Sequence, residues 1–144
     1  MNISDVFNNF AYDFELCVDD DRWLRLEKYF TTDATYINVG GPDPKCEGAN
    51  AILGYLQADV ASTDRKFDAR TLVALTPPTV AGNRLSRQWR CTYKLAGTPD
   101  LVIEGEARYL FADRLIKSIE EEPTIESMQL LESWMSEYGD KLQT

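Results

Sequence analysis

The sequence contains 144 residues, of which 44% are hydrophobic and 27% are charged, and this length and composition predict one folded, water-soluble domain over residues 1–144. Aspartate and glutamate outnumber lysine and arginine by 24 to 15, and the resulting net charge of −9 argues against nucleic acid or an anionic membrane as a partner. Histidine is absent, which removes the usual general base, the usual metal ligand and every triad built on imidazole. We therefore expect a protein that works without a metal or another cofactor.

The cysteines and the hydropathy of the chain favour a cytoplasmic location. Cys17, Cys46 and Cys91 are odd in number and far apart, so they predict neither a disulfide framework nor a zinc cluster. No stretch of about 18 apolar residues occurs, and residues 1–10 carry no basic side chain, so neither a membrane span nor a signal peptide is expected.

Two helices are predicted at the start of the chain. Apolar side chains recur at steps of four and three over about residues 4–18, which is typical of an amphipathic helix. The run Asp19-Asp20-Asp21 suits the positive end of a second helix dipole, and this helix is predicted to carry Trp23, Leu26 and Phe30 on one side.

A strand and a third helix follow. The β-branched and aromatic run at residues 35–39 predicts a strand that ends in a loop at Gly40-Gly41-Pro42. Four apolar residues at helical spacing predict a short helix over residues 48–62.

The second half of the chain alternates with a period of two. This pattern predicts strands over residues 67–75, 85–95, 101–111 and 115–122. In the second of these strands, one face is apolar except for Arg87.

A C-terminal helix over residues 124–141 is predicted from a stripe of methionine, leucine and tyrosine. This helix either covers the mouth of a pocket or crosses to a second subunit. Helices followed by a run of long strands are typical of an α+β domain, so we expect a curved antiparallel sheet wrapped around the N-terminal helices, in the form of a cone with an apolar interior.

Two local motifs and this order of elements resemble one known superfamily. Residues 21–23 and Phe30-Thr31-Thr32-Asp33-Ala34-Thr35-Tyr36 are similar to its acidic start, aromatic helix and entry into strand one. Residues 46–48 with Ala51-Ile52 are similar to its entry into the third helix. Over residues 3–122 the chain thus resembles the nuclear transport factor 2-like superfamily, which includes ketosteroid isomerases, limonene epoxide hydrolases, scytalone dehydratases and SnoaL-like polyketide cyclases. The resemblance implies a small apolar ligand in the cone and a homodimer formed through the outer face of the sheet.

The catalytic residues of two of these enzymes do not carry over. In ketosteroid isomerases a tyrosine and an aspartate hold the oxyanion and a second aspartate is the base; the corresponding positions here are Phe14, Ala107 and Asn38. Scytalone dehydratase needs two histidines, and this chain has none.

Limonene epoxide hydrolases match better. Their Tyr-x-Asn motif corresponds to Tyr36-Ile37-Asn38, their strand arginine to Arg87, and their second carboxylate to Glu121 or a direct neighbour. Their first carboxylate corresponds to Trp89, so the two-carboxylate relay is incomplete.

These comparisons define the candidate site. We predict that Glu121, Arg87, Asn38 and Tyr36 are the catalytic residues, with Glu121 as the partner of Arg87 if their strands are neighbours. The alternatives are a structural or rim role for Arg87, a solvent-exposed Glu121 and a buried Tyr-Asn hydrogen bond. Aromatic walls for an apolar ligand, or simply a filled core, are predicted from Phe14, Trp89, Tyr93 and Tyr109.

Two functional hypotheses follow. The first is cofactor-free acid/base catalysis on an apolar, oxygen-bearing molecule, of the isomerase, dehydratase, cyclase or epoxide hydrolase type. The second is a non-catalytic assembly or ligand-binding domain, similar to the small subunit of aromatic-ring dioxygenases, which shares the Asp-rich entry and residues 30–36 of the motif quoted above.

Overall fold

The computed structural model describes residues 2–40 and 45–142. Its helices are α1 (Ile3–Asp20), α2 (Ala49–Ser62) and α3 (Ile125–Tyr138), and short 3₁₀ segments cover Trp23–Tyr29, Asp64–Lys66 and Gly139–Leu142. The strands are β1 (Phe30–Asn38), β2 (Lys45–Glu47), β3 (Ala69–Ala74), β4 (Thr79–Ala81), β5 (Arg84–Lys94), β6 (Leu101–Ala112) and β7 (Leu115–Pro123). Of the predicted loop at Gly40-Gly41-Pro42, only Gly40 lies within the described residues, in a turn.

The predicted second helix differs most from the structure. It is a 3₁₀ segment that ends at Tyr29, and Phe30 begins β1 instead of closing a helix. β1 therefore starts five residues earlier than predicted. Its pairing with β7 is interrupted between Phe30 and Thr35, and this irregularity explains why no clean alternation marks the start of the strand.

The strands form one mixed sheet in the order β2-β1-β7-β6-β5-β3, with β4 also paired to β5. The pairs within it are antiparallel except for β1 with β7, which run parallel. The short strand β2, which was not predicted, pairs with the end of β1. The predicted α+β cone is confirmed. The parallel pair of β1 and β7 is where it departs from the antiparallel sheet that was predicted.

The main core lies between α1, α2 and the concave face of the sheet. Alternate residues of β6 are buried along the whole strand, as a period of two requires when one face is covered. Those in the second half of the strand, Ala107, Tyr109 and Phe111, meet residues of α1 and α2 such as Phe7 and Leu56 in one apolar cluster. No helix within residues 2–40 and 45–142 is long and apolar enough to cross a membrane.

The C-terminal helix α3 packs on its own sheet, at the end of the concave face that carries Leu101 and Ile103. Its Trp134 lies 5.2 Å from the ring of Phe67 and donates a hydrogen bond from Nε1 to the carbonyl of Pro99 at 3.0 Å. The helix thus packs on one end of its own sheet. That it covers the mouth of a pocket stays a prediction, because none of its residues lines the cavity inside the cone.

Candidate functional site

A cavity of about 300 Å³ lies inside the cone, between α1, α2 and the concave face of the sheet. Seven of the eight predicted site residues line it: Phe14, Tyr36, Arg87, Trp89, Tyr93, Tyr109 and Glu121. The eighth, Asn38, does not. The cavity therefore brings together residues from α1, β1, β5, β6 and β7.

The sheet register explains why these side chains meet. Asn38 is opposite Glu121, Glu121 is opposite Ala107, and Ala107 is opposite Arg87. Residues directly opposite one another on paired strands share a face of the sheet, so this row places Glu121 and Arg87 on the concave side.

Glu121 faces the interior, while its neighbours face outward. Glu120 and Glu122 both accept hydrogen bonds from Arg108, at 3.1 and 2.8 Å, on the outer side of the sheet. The structure therefore does not support the alternative in which Glu121 is a solvent-exposed acid like the residues that flank it.

The carboxyl group of Glu121 is held by a tryptophan. Trp89 Nε1 donates a hydrogen bond to Glu121 Oε2 at 3.1 Å. Burial raises the pKa of Glu121 to about 7, although the positive charge of Arg87 and the Trp89 hydrogen bond both oppose this rise. A carboxyl group with this pKa can give or accept a proton at neutral pH.

The expected ion pair between Arg87 and Glu121 does not form. β6 lies between β5 and β7, so two strand spacings of about 4.8 Å each separate the two backbones. Among the described residues, Arg87 makes no ion pair, and its buried Nε has no hydrogen-bond partner. Its guanidinium lies 5.1 Å from the centroid of the Phe7 ring. Arg87 is thus a half-buried cation beside an aromatic ring, with no ion pair among the described residues. The rim position stays an alternative.

Tyr36 and Asn38 share a face of β1 as predicted, but only Tyr36 reaches the cavity. The ring of Tyr36 lies 5.4 Å from that of Tyr55 on α2. The side chain of Asn38 interacts with the Tyr55 hydroxyl, whose pKa burial raises to about 12. Asn38 therefore interacts with Tyr55, and joint ligand binding by Tyr36 and Asn38 stays a prediction.

Tyr109 brings a hydroxyl group to the cavity. Its side chain is only 7% exposed, and its ring packs edge-on against Phe7 at 5.0 Å. Tyr109 lines the cavity together with Glu121 and Arg87, the two charged residues that act on its hydroxyl. Burial and the negative charge of Glu121 raise the pKa of Tyr109, so it remains a proton-bearing donor.

The opposite end of the cavity was not predicted. There Arg70 from β3 pairs with Glu15 from α1 at 2.6 Å and with Asp64 at 2.6 Å. The contact from Arg70 Nε to Asp64 is an ion pair whose angle does not suit a hydrogen bond. Asp59 from α2 also lines this end. Three carboxylates and one guanidinium give this end a net charge of −2 if all are ionised.

The sequence did hold a signal for this second group of charges. Asp59 lies between Leu56 and Val60 on the apolar stripe of α2. A charged residue on an apolar face indicates a candidate site, as it does for Arg87. On β3 the sequence pointed the other way: the alternation of residues 67–75 favours Ala69, Thr71 and Val73 as the inner face, whereas Arg70 and Leu72 line the cavity. Among the described residues, no three acidic or cysteine side chains form a group that could hold a metal ion.

The comparisons with known proteins concern the fold. No family model and no curated protein sequence matches this chain. A proposed isomerase from Bacillus subtilis has a similar structure, with a TM-score of 0.67 at 12% identity over 90% of this chain and 94% of the other. A proposed SnoaL-like polyketide cyclase from Shewanella denitrificans gives 0.64 at 14% identity over 88% and 96%.

A third similar structure contains a ligand. It is a hypothetical protein with a ketosteroid isomerase-like fold from Catenulispora acidiphila, in complex with trimethylamine, with a TM-score of 0.53 at 18% identity over 71% of this chain and 75% of the other. Together these structures show that the chain has the nuclear transport factor 2-like fold. At these identities the likeness does not extend to an activity.

Proposed function

We propose that this protein binds an apolar, oxygen-bearing small molecule in the cone and moves a proton on it without a cofactor, with Glu121 as the general acid or base. The observation that carries this proposal is the position of Glu121, which lines the cavity, is held by Trp89 and has a pKa of about 7. Isomerisation, dehydration, cyclisation and epoxide opening are the reaction types that such a group serves.

The surroundings of Glu121 suit this role. Trp89 donates to Oε2 only, so Oε1 remains for a ligand. The hydroxyls of Tyr36 and Tyr109 line the same cavity, and burial keeps the pKa of both above the ordinary tyrosine value. Two neutral donors and the Arg87 cation are therefore available to a ligand oxygen on which negative charge develops.

The presence of one catalytic carboxylate narrows the reaction. Epoxide hydrolysis of the limonene epoxide hydrolase type uses two carboxylates, and Trp89 stands at the position of the first. The other carboxyl groups that line the cavity are Glu15, Asp59 and Asp64, at the end that carries Arg70. An acid/base group that titrates near 7 and stands apart from them is better suited to taking a proton from one atom of the ligand and returning it to another. We therefore favour isomerisation or dehydration over hydrolysis.

Deuterium exchange tests the proposal. The protein is incubated in deuterated buffer with enones, aromatic polyketides and terpenoid epoxides, and exchange and product formation are followed by proton NMR. We expect Glu121→Gln to lower turnover by about 10²- to 10⁴-fold, because an amide cannot accept the proton. Glu120→Gln is the matched control, since its side chain lies on the outer face and pairs with Arg108. Full turnover by Glu121→Gln would overturn the proposal.

A ligand-binding or assembly domain is the second candidate. It is favoured by the three positions that correspond to ketosteroid isomerase catalytic residues, since Phe14 and Ala107 carry no polar group and Asn38 does not line the cavity. Native mass spectrometry of the protein from its own host separates the candidates. A bound small molecule without turnover supports binding, and a large stoichiometric partner supports assembly.

A further inference from the structure

We call the part of the cavity next to Arg87 and Tyr109 its interior end. This end holds a buried donor without an acceptor. Arg87 Nε is buried and has no hydrogen-bond partner, and within the described residues the guanidinium has no counterion. Tyr109 is more than nine-tenths buried and lines the same cavity. Buried donors in folded proteins are nearly always satisfied, and an uncompensated interior charge is costly. A ligand group that accepts hydrogen bonds and carries negative charge would satisfy the Arg87 donor.

The protein's own acid does not supply such an acceptor. Glu121 is separated from Arg87 by β6 and is bonded to Trp89 instead. The other carboxylates that line the cavity are Glu15, Asp59 and Asp64, at the opposite end, where Arg70 pairs with the first and third. A bound molecule could therefore supply the acceptor for Arg87 Nε.

We infer that the cavity binds the ionised form of an apolar carboxylic acid, with the carboxylate at Arg87 and the Tyr109 hydroxyl and the apolar body along the aromatic walls. This inference names the ligand class of the proposed function and rests on it. A guanidinium flanked by a neutral hydroxyl matches one negative charge shared by two oxygens, which a carboxylate provides.

The charges at the two ends fix the orientation of the ligand. The end with Glu15, Asp59 and Asp64 repels an anion, whereas the interior end offers the unpaired cation. The carboxylate therefore lies at the Arg87 end, and the apolar body lies beside Phe14 and Trp89, which line the same cavity.

The titration of Glu121 gives this binding a distinctive pH dependence. The charged or titratable groups around Glu121 are Arg87 from β5, Tyr109 from β6, Tyr36 from β1, Tyr55 from α2 and, from the outer face, Arg108. The pKa values of all three tyrosines are raised, so Glu121 is the group that changes charge near neutrality. A bound carboxylate and an ionised Glu121 repel each other, so affinity should fall as the pH rises through about 7.

Isothermal titration calorimetry with matched ligands tests the inference. The probes are 2-naphthoate and 4-phenylbutanoate, each compared with its primary amide, which has a similar shape and no charge. We expect each carboxylate to bind at least about 10-fold more tightly than its amide at pH 6, because its hydrogen bonds to Arg87 are charge-assisted. Equal affinities, or no binding of either carboxylate at millimolar concentration, would overturn the inference.

Two variants and one control locate the site. Arg87→Met should remove the preference for the carboxylate, and Tyr109→Phe, which keeps the ring, should weaken carboxylate binding by about 10-fold. Arg90→Met should leave both affinities unchanged, because Arg90 is on the same strand but pairs with Glu104 on the outer face. A preference that survives in both Arg87→Met and Tyr109→Phe contradicts the inference, and the second variant is informative even if the first does not fold.

The same measurements separate this inference from the proposed function. In Glu121→Gln the carboxylates should still bind, and their affinity should no longer fall as the pH rises through 7. Carboxylate binding with no turnover of any compound by the wild-type protein would overturn the catalytic proposal and leave the inference standing. Turnover of neutral ketones together with equal binding of acids and amides would overturn the inference and leave the catalytic proposal standing.

Discussion

Two arginines face the same cavity, and they differ in what surrounds them. Arg70 on β3 is paired with Glu15 and Asp64, and its side chain is 12% exposed. Arg87 on the neighbouring strand β5 has neither a counterion nor a partner for Nε among the described residues. A paired interior charge ties α1, β3 and the Asp64–Lys66 segment together. The unpaired charge of Arg87 lowers the stability of the fold and is best explained by a ligand.

The largest effect expected from this comparison concerns stability. Arg70→Met should lower the free energy of unfolding by about 3–5 kcal/mol, because it leaves Asp64 and Glu15 without their partner. Arg87→Met should leave that free energy unchanged or raise it by about 1 kcal/mol, because it removes an uncompensated charge. Urea denaturation of both variants checks this. Equal losses would show that the two arginines have the same structural role.

A second prediction concerns the pH dependence of stability. The pKa of Glu121 is about 7 in the folded protein and 4.5 for an ordinary glutamate, so the folded state binds this proton more tightly. Its contribution is fully present below pH 4.5 and is lost as the pH rises through about 7, a loss of about 3 kcal/mol.

The Glu121→Gln variant isolates this contribution, because an amide does not titrate. Relative to wild type it should gain stability between pH 5 and pH 8, as measured by urea denaturation at both values. Glu120→Gln is the control and should follow wild type. If wild type and Glu121→Gln lose stability in parallel over this range, Glu121 has an ordinary pKa.

A third prediction concerns Gly105→Ala, a substitution that disturbs the packing around Trp89 without removing a charge. A Cβ atom at Gly105 would lie 2.6 Å from Trp89 Cζ2 and 2.8 Å from the carbonyl oxygen of Glu122. Gly105→Ala should therefore cost about 1–3 kcal/mol and displace the ring that holds Glu121. Gly54→Ala is the matched control, since nothing lies within 4 Å of its Cβ position on α2, and it should be neutral or stabilising. A neutral Gly105→Ala would contradict this packing.

The smallest predicted effect is on the pKa of Glu121 itself. Trp89→Phe removes the donor to Oε2, and a hydrogen bond to the ionised form favours that form. The pKa should rise further, by about one pH unit, and the pH profile of any turnover should move with it. Trp134→Phe, which loses only the bond to the Pro99 carbonyl, should leave the profile in place. No movement in Trp89→Phe would mean that the bond is weak in solution.

The difference between the two arginines also shows what the sequence could reveal. Alternation with a period of two is a local property, and it predicted that Arg87, Trp89, Tyr93 and Tyr109 share the concave face. The α+β cone followed from the same patterns and from the resemblance. The face of the sheet on which Glu121 lies could not be predicted, because the run of three glutamates left the register of β7 open.

Long-range pairing was beyond the reach of the sequence. That β6 separates Arg87 from Glu121 and that β1 runs parallel to β7 are properties of the strand order, which no local pattern encodes. The Arg70 group is assembled from α1, β3 and a 3₁₀ segment, so its members lie up to 55 residues apart in the chain. Asn38 missed the cavity because a residue of α2, Tyr55, interacts with it.

The titration of the Glu121 carboxyl group inside the cone can be measured directly. The carboxyl carbon of Glu121 is followed by carbon-13 NMR from pH 4 to pH 9 and assigned by its absence in Glu121→Gln. We expect a pKa near 7, as burial against Trp89 and beside an unpaired Arg87 requires. A pKa near 4.5, the ordinary value, would contradict the account and leave the cavity without its acid/base group.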